Sequence, residues 1–398
     1  MTREFYRINR LPPYVFAEVN KVKHEARQKG IDIIDFGMGN PDAPTPAHIV
    51  EKLRETVLDP KAHGYSVSAG ITGLRKALAG YYERRFNVSL DPETEIAVSQ
   101  GSKEGLFHLA TAISKPGDFM LVSDPSYPIH PYGFIIAEAN IRFMPKDFNV
   151  EDHGQHFLQQ LKDAIEGSSP KPVAVVVNYP CNPTAEVVTL DFYEELVAIC
   201  KRYDVILISD IAYCEIYFDD DNPPPSVLQV KGAKDIAVEF SSLSKTYSMA
   251  GWRVGFAAGA PDIIHALKRI KSYLDYGSFT PIQVAAATAL NGPQDCVVEA
   301  RMRYKTRRDI MVKGLHDAGW NVDSPDASMF IWARLPERFK EMGSLEFSKL
   351  LLEKAEVAVS PGIGFGKGGD EFVRIGLIEN EQRSRQAIRN IKHFLKES

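Results

Sequence analysis

Between residues 95 and 240 the chain alternates apolar runs of four to six residues with longer stretches of helical periodicity. The runs are Glu95–Val98, Phe119–Val122, Val173–Val177, Val205–Ser209 and Ile236–Phe240. Short apolar runs separated by helices predict a mostly parallel sheet covered by helices on both faces, an α/β fold. Each run gives way to a polar or aromatic cluster. The first leads into Gly101-Ser102-Lys103, the second into Asp124-Pro125-Ser126-Tyr127 and the third into Asn178-Tyr179-Pro180-Cys181-Asn182-Pro183. The fourth leads into Asp210-Ile211-Ala212-Tyr213, and the fifth into S-L-S-K-T-Y-S-M-A-G-W-R-V-G from Ser242 to Gly255. Ligands of open α/β sheets bind beyond the carboxyl ends of the strands, so five such clusters predict one site along one edge.

The flanks read differently. After a Pro-Pro break, the first thirty or so residues predict a helix with Phe16, Val19 and Ala26 on its apolar side. I-I-D-F-G-M-G-N-P-D, from Ile33 to Asp42, predicts a short strand running into a glycine-rich turn. The glycine- and hydroxyl-rich stretch Gly64 to Leu74 precedes a helix expected from Arg75 through Tyr81 and Tyr82. Beyond Thr280-Pro281 lies a long helical region whose charged run, Arg301 to Arg308, is expected to be a solvated helix face. From about residue 319 the chain alternates again, through M-F-I-W-A, V-A-V-S-P-G and F-V-R-I-G-L. A final helix carries Ala387, Ile388, Ile391 and Leu395 at helical spacing. A smaller α+β domain is the expectation here. For a 398-residue chain this gives an N-terminal arm with part of the small domain (1–48), a large domain (49–290) and a small C-terminal domain (291–398).

Composition removes several functions. A net charge of −5 offers no basic footprint for nucleic acid, and no apolar run approaches a membrane span. M-T-R-E-F-Y-R-I-N-R lacks the apolar core of a secretory signal. The four cysteines form no C-x-x-C pair, so small buried thiols and a cytoplasmic setting are expected. His153 and His156, beside Glu151 and Asp152, lack H-E-x-x-H spacing and read as a surface loop; no metal is expected. Gly364 to Gly369, G-F-G-K-G-G, matches G-x-G-x-x-G but precedes an apparent strand, so a glycine-rich hairpin is expected instead of a dinucleotide site.

The chemistry centres on Lys245, whose amine can form a Schiff base with an aldehyde. Arg253, eight residues on, has a fork of donors suited to phosphate, and Ser242 and Ser244 can supply hydroxyls. A lysine beside a phosphate clamp points to a phosphorylated aldehyde, commonly pyridoxal 5′-phosphate (PLP). Its needs match the strand-end clusters. Asp210 would keep the ring nitrogen protonated, Tyr213 and Asn182 would donate to the phenolic oxygen, and Tyr127 would lie against the ring. Gly101, Ser102 and Lys103, where a strand becomes a helix, would complete the phosphate cradle with Arg253 and Ser242. Arg374 sits inside an apolar strand, where an amino-acid carboxylate or an internal carboxylate would satisfy it.

Taken together, N-Y-P-C-N-P-T at Asn178, S-D-I-A-Y at Ser209, the lysine stretch, D-P-S-Y-P-I-H at Asp124, Y-S-V-S-A-G-I-T-G-L-R at Tyr65, D-Y-G-S-F-T-P-I-Q-V-A-A-A at Asp275 and V-R-I-G-L at Val373 resemble the fold-type I, class I/II PLP-dependent aminotransferases. The resemblance covers essentially the whole chain. Its wording is similar to the bacterial alanine aminotransferase branch, which borders the LL-diaminopimelate aminotransferases. It implies an aspartate-aminotransferase-like fold and a homodimer with active sites at the subunit interface. Tyr65 would reach the phosphate in the neighbouring subunit, and Gly39 would close on the substrate. It also implies ping-pong transfer between an amino acid and a 2-oxo acid, alanine and 2-oxoglutarate being the expected pair, with Lys245 as the proton carrier. Tyr14 and Phe16 are candidates for reading the substrate side chain. LL-diaminopimelate or aspartate transamination, C–S lysis, β-elimination or decarboxylation would use the same Lys245, Asp210 and Arg374. A PLP-binding transcription regulator would need a DNA-binding module ahead of the aminotransferase-like part, which here starts within the first dozen residues.

Overall fold

In the computed structural model, which describes residues 3–13 and 15–397, every predicted strand of the large sheet forms, each ending one or two residues beyond its apolar run. In chain order the strands are β1 (Ile34–Asp35), β2 (Ile96–Ser99), β3 (Phe119–Asp124), β4 (Asn140–Pro145), β5 (Ala174–Asn178) and β6 (Ile206–Asp210). They continue with β7 (Ala237–Ser242), β8 (Gly255–Gly259), β9 (Phe330–Arg334), β10 (Val357–Ala358), β11 (Ser360–Pro361) and β12 (Phe372–Gly376).

The large sheet has the order β2-β8-β7-β6-β5-β3-β4. Only β8 runs against its neighbours, so the five predicted strands point the same way and end at one edge. Two of the seven were not expected. β4 is an edge strand of mostly half-exposed and exposed residues, paired with β3 alone. β8 reads G-F-A-A-G, too small in its side chains to stand out as an apolar run. Both faces of the sheet are buried, which is why its strands are continuously apolar. Val175 and Val177 enter the cluster of Leu74, Tyr82 and Leu196, while Ala174 and Val176 enter that of Leu109, Phe134 and Leu267. Glu239, the one acid in β7, is fully buried; Tyr82 Oη (2.9 Å) and Ser226 Oγ (2.6 Å) donate to it. Burial pushes its carboxyl up to about 7, against the pull of those donors.

A second core lies between the three-stranded antiparallel sheet β11-β12-β9 and the helices Asp295–Asp317 and Glu381–Glu397. Trp320, Phe330, Phe347 and Phe394 fill it, and the N-terminal segment contributes Ile34 and Phe36 through the parallel pair β1–β10. The glycine-rich stretch at 364–369 lies between β11 and its antiparallel partner β12, the predicted hairpin. The N-terminal helix spans Val15–Gln28 with Val19 buried; Tyr14 is outside the described residues. No helix among the described residues is long and apolar enough to cross a membrane.

Three expectations need correction. The helix expected from Arg75 begins at Thr72. His153 is not in a loop: Asp152 caps a helix that begins there, and His153 pairs with Glu186 at 2.9 Å. The charged run is only partly solvated, because Tyr304 and Arg307 face inward at the spacing of one helical turn. Arg307 forks onto Asp42 at 2.8 and 2.7 Å and donates to the Leu377 carbonyl at 3.0 Å, tying the helix to the segment after β1. Burial opposes ionisation of Asp42, but this guanidinium holds its carboxyl below the usual range. A folded-state pKa that is depressed adds stability above the ordinary carboxylate pKa and loses it as pH falls. Arg307→Met should therefore cost about 1–3 kcal/mol in urea unfolding at neutral pH, with the deficit narrowing as pH drops below about 4.

Candidate active site

The carboxyl ends of β3, β5, β6 and β7 open onto a cavity of about 390 Å³, closed from above by β1, β9, β11 and β12. Lys245, Asp210, Tyr213, Asn182, Tyr127 and Arg374 all line it, as do Ser102, Lys103, Ser242, Ser244, Arg253, Gly39 and Phe16. Of the remaining expected residues, Gly101 lies directly behind Arg253. Tyr65 does not line this cavity; it is 90% exposed and lies against Tyr276 with ring centroids 4.7 Å apart.

The cradle at one end is built from backbone. Gly101, at φ +89°, caps the helix Ser102–Ile113, whose first N–H groups have no partner within the helix. Arg253 also adopts a left-handed backbone, φ +57°, which turns its guanidinium back over Gly101. A Cβ at Gly101 would fall on that guanidinium, and a Cβ at Gly255 would fall on the backbone of Gly101 and Ser102. Glycine at both positions leaves a concave shelf of N–H donors with a cation beside it, which fits a phosphate.

Deeper in, Asp210 is buried, and its Oδ2 lies 2.9 Å from His130 Nε2 while its Oδ1 accepts from Ala212 N–H at 3.1 Å. His130, itself 2% exposed, was missed as a site residue although its motif was recognised. A buried histidine is legible only as apolar-helix filler until the partner strand is known. Asn178 steadies the same strand end, donating from Nδ2 to the Asp210 carbonyl at 2.7 Å. The Tyr213 hydroxyl stands 3.5 Å from Asn182 Nδ2.

Arg374 projects from β12 between the rings of Phe330 and Phe365, 4.1 and 4.7 Å from their centroids. Its Nη1 donates to Asn182 Oδ1 at 2.7 Å and its Nη2 to the Gly37 carbonyl at 3.2 Å. Phe330 and Phe365 were also missed, since an apolar strand does not reveal which ring will stack on a cation. A Cβ at Gly39 would come within 2.8 Å of Phe330, so glycine there keeps the wall beside Arg374 open.

Lys245 lies between these two ends, its Nζ donating to the Gly39 carbonyl and standing 6.0 Å from the Tyr213 ring centre. Burial lowers its pKa most, the Arg374 and Arg253 charges add to this, and the amine titrates at about 8. Five basic side chains (Lys23, Lys103, Lys245, Arg253, Arg374) face two acidic ones (Asp35, Asp210) around the cavity. That balance suits a ligand carrying a phosphate and a carboxylate.

A lysine amine of depressed pKa, a buried aspartate and a backbone phosphate cradle at the switch edge of an α/β sheet define an enzyme that uses a phosphorylated aldehyde cofactor. The aminotransferase class I and II family profile matches residues 31–391, and the chain belongs to that family. It is 57% identical to the putative aminotransferase AatC of Rhizobium meliloti (strain 1021), over 98% of this chain and 95% of that one. It is 55% identical to glutamate-pyruvate aminotransferase AlaC of Escherichia coli (strain K12), over 98% and 93%. LL-diaminopimelate aminotransferase of Moorella thermoacetica is 41% identical over 99% and 98%. Among solved structures, a Thermus thermophilus aspartate aminotransferase single mutant superposes with a TM-score of 0.90 at 27% identity, covering 99% of this chain and 100% of that one. The protein is thus a PLP-dependent transaminase of aspartate-aminotransferase-like fold, acting on amino and 2-oxo acids.

Only the neutral amine attacks an aldehyde. Covalent uptake of PLP by cofactor-free protein should therefore accelerate as pH rises through about 8 and level off above it. An ordinary lysine would go on accelerating to about 10.4. Stopped-flow absorbance at a series of pH values reads the midpoint directly.

Proposed function

We propose that this protein transfers the amino group of L-alanine to 2-oxoglutarate, reversibly forming pyruvate and glutamate, in two half-reactions at one site. The observation that carries the site reading is that Lys245, Asp210 and Arg374 share one cavity with the phosphate cradle. The substrate pair is supported by the activity for which the AlaC relative is named, and its identity to this chain exceeds that of the LL-diaminopimelate relative.

In this reading Ser102, Lys103, Ser242 and Arg253 hold the cofactor phosphate with the helix N–H groups behind Gly101. Asp210, braced by His130, would hold a proton on the ring nitrogen, Tyr213 and Asn182 would donate to the phenolic oxygen, and Tyr127 would lie against the ring. When bound, PLP supplies an aldehyde for the amino group and a ring that accepts the electron pair left at Cα. Arg374 takes the substrate α-carboxylate bidentately, with Asn182 and Gly39 shaping the same end. Lys245 would anchor the cofactor through Nζ, and the same nitrogen, once free, is placed to carry the proton away from Cα. In cofactor-free protein its pKa of about 8, well below an ordinary lysine's, makes the neutral amine accessible near neutral pH. Phe16 stands at the cavity wall where it can meet the substrate side chain.

The same reading includes an arm at 1–48, a large domain at 49–290, a small domain at 291–398, and a homodimer. The second core supports the division in part: Ile34 and Phe36 join residues 304–395 there, and Tyr213, Ile216 and Phe218 of the large domain pack into it as well. Tyr65 and Tyr276 lie against each other and are exposed, as are Tyr273 and Leu274 just before Tyr276 in the chain; a second copy would cover this surface and take Tyr65 to the neighbouring phosphate.

Two measurements test this. In single turnover, L-alanine and L-glutamate should each convert the cofactor spectrum of the wild-type enzyme, with LL-diaminopimelate far slower. Fast conversion by LL-diaminopimelate with none by alanine would move the enzyme to the neighbouring branch. Arg374→Ala should lower kcat/KM for amino and 2-oxo acids by tens- to thousands-fold, about 2–5 kcal/mol. Cofactor content should hold, and amines without a carboxylate should be little affected beyond the small rise in Lys245 basicity that loss of the Arg374 charge brings. A fall in melting temperature with amino-acid affinity intact would make Arg374 a purely structural cation.

A further inference from the structure

The loop between β5 and the helix Leu190–Tyr203 separates two cavities. Asn178 and Asn182 line that of Lys245, whereas Tyr179 and Glu186 line a second one of about 590 Å³. The placement of Asn182 depends on this loop, because its side chain bridges Arg374 and Tyr213 while its N–H is held by Asn178 Oδ1 at 2.8 Å. The turn after it closes tightly, Cys181 N–H donating to the Glu186 carbonyl at 2.9 Å and Ala185 N–H to that of Cys181 at 2.9 Å. Ala185 sits at φ +62°, a region that a residue with a β-carbon keeps only when its surroundings enforce it.

The enforcement comes from outside the loop. Lys146, one residue beyond β4, places its ammonium directly on Glu186 Oε2, and the Thr184 hydroxyl donates to the same oxygen at 2.7 Å. Glu186 Oε1 pairs with His153 Nδ1 at 2.9 Å. Lys146 Nζ is also 3.5 Å from Thr184 Oγ1 and 3.8 Å from Cys181 Sγ. The two charged side chains are 10% and 20% exposed. Burial disfavours both charges, yet Lys146, His153 and Thr184 hold the Glu186 carboxyl at about 2, and Cys181 and Glu186 raise the Lys146 amine above its ordinary value. The clamp is therefore ionised across the working range.

We propose that Lys146 and Glu186 are positioning residues for the transamination site. Their ion pair clamps the 181–186 turn and so fixes where Asn182 presents its amide to Arg374 and Tyr213. The substrate side of this inference rests on the reading of Arg374 as the carboxylate receptor. It concerns two residues that line no part of the Lys245 cavity and belong to none of the strand-end clusters.

Lys146→Met, Lys146→Arg and Arg374→Ala, each in the cofactor-loaded enzyme, separate the possibilities. Lys146→Met should raise KM for amino and 2-oxo acids about tenfold or more, since a small displacement of a positioning group is amplified in the bound geometry. Turnover of an amine lacking a carboxylate should stay within about twofold of wild type. Withdrawing donors from the phenolic oxygen should raise the pH midpoint of the bound cofactor's absorbance titration. In cofactor-free protein, amide exchange at Cys181 and Ala185 should quicken. Lys146→Arg should restore most of each signal. A lower melting temperature with KM, midpoint and exchange unchanged would overturn the proposal and leave the pair a stabilising contact only. Should Lys146→Met fail to fold, Lys146→Met/Glu186→Met removes both charges together and is read the same way. If Arg374→Ala leaves amino-acid KM untouched, the receptor reading fails, and the absorbance midpoint and amide exchange decide the clamp on their own.

Discussion

A guanidinium cannot shed its charge inside a protein, whereas an amine can, and the site is arranged around that difference. Arg374 and Arg253 stand at opposite ends of the cavity with Lys245 between them. Burial and the two fixed charges together push the lysine toward its neutral form, titrating at about 8. A reactive amine is thus produced without a dedicated base, by burial first and then by two cations that the ligands need in any case. Placing a carboxylate on one and a phosphate on the other would remove part of that pressure. The lysine's basicity is therefore coupled to occupancy of its neighbours.

The cavity exists only because two sheets meet. Asn182 belongs to the end of β5 in the large sheet and Arg374 to β12 in the small one, and a 2.7 Å hydrogen bond joins them. Lys245, after β7, donates to the carbonyl of Gly39, beyond β1. These links run between the two cores, whereas the Arg307–Asp42 fork ties the N-terminal segment to a helix of the second core. Any shift of the small sheet relative to the large one changes the distance between carboxylate receptor and reactive amine. The glycines at 37 and 39 matter for the same reason, since a β-carbon at either would press on Asp35 or Phe330 in that seam.

Away from the cavity, two buried lysines are met by carboxylates. Lys271 is fully buried between Glu104 and Asp275, the latter at 2.8 Å, and Lys146 lies against Glu186. Glu104, His108 and Asp275 approach one another closely enough to suggest a cation site, but the Lys271 ammonium already sits among them. Desolvation consumes most of the Coulombic gain of such buried contacts, so their net contribution to stability is small while the loss of one partner is costly.

Periodicity along the chain determined five of the sheet's seven strands, their common direction and the residue types at their ends, because these depend on neighbours within a few positions. It also determined that Lys245, Asp210 and Arg253 would gather at one edge, since a parallel sheet leaves them no other place to go. Tertiary structure alone decided the pairings. His130 meets Asp210 across 80 residues, Arg374 meets Asn182 across 192, and Arg307 meets Asp42 across 265. A charged run reads as solvated until a distant aspartate is folded against one of its arginines. An isolated lysine such as Lys146 reads as surface until an edge strand carries it under the neighbouring loop. The strand ends follow from local pattern, but the partners of buried charges follow from packing between segments far apart in sequence, and the chain's order contains no local mark of them.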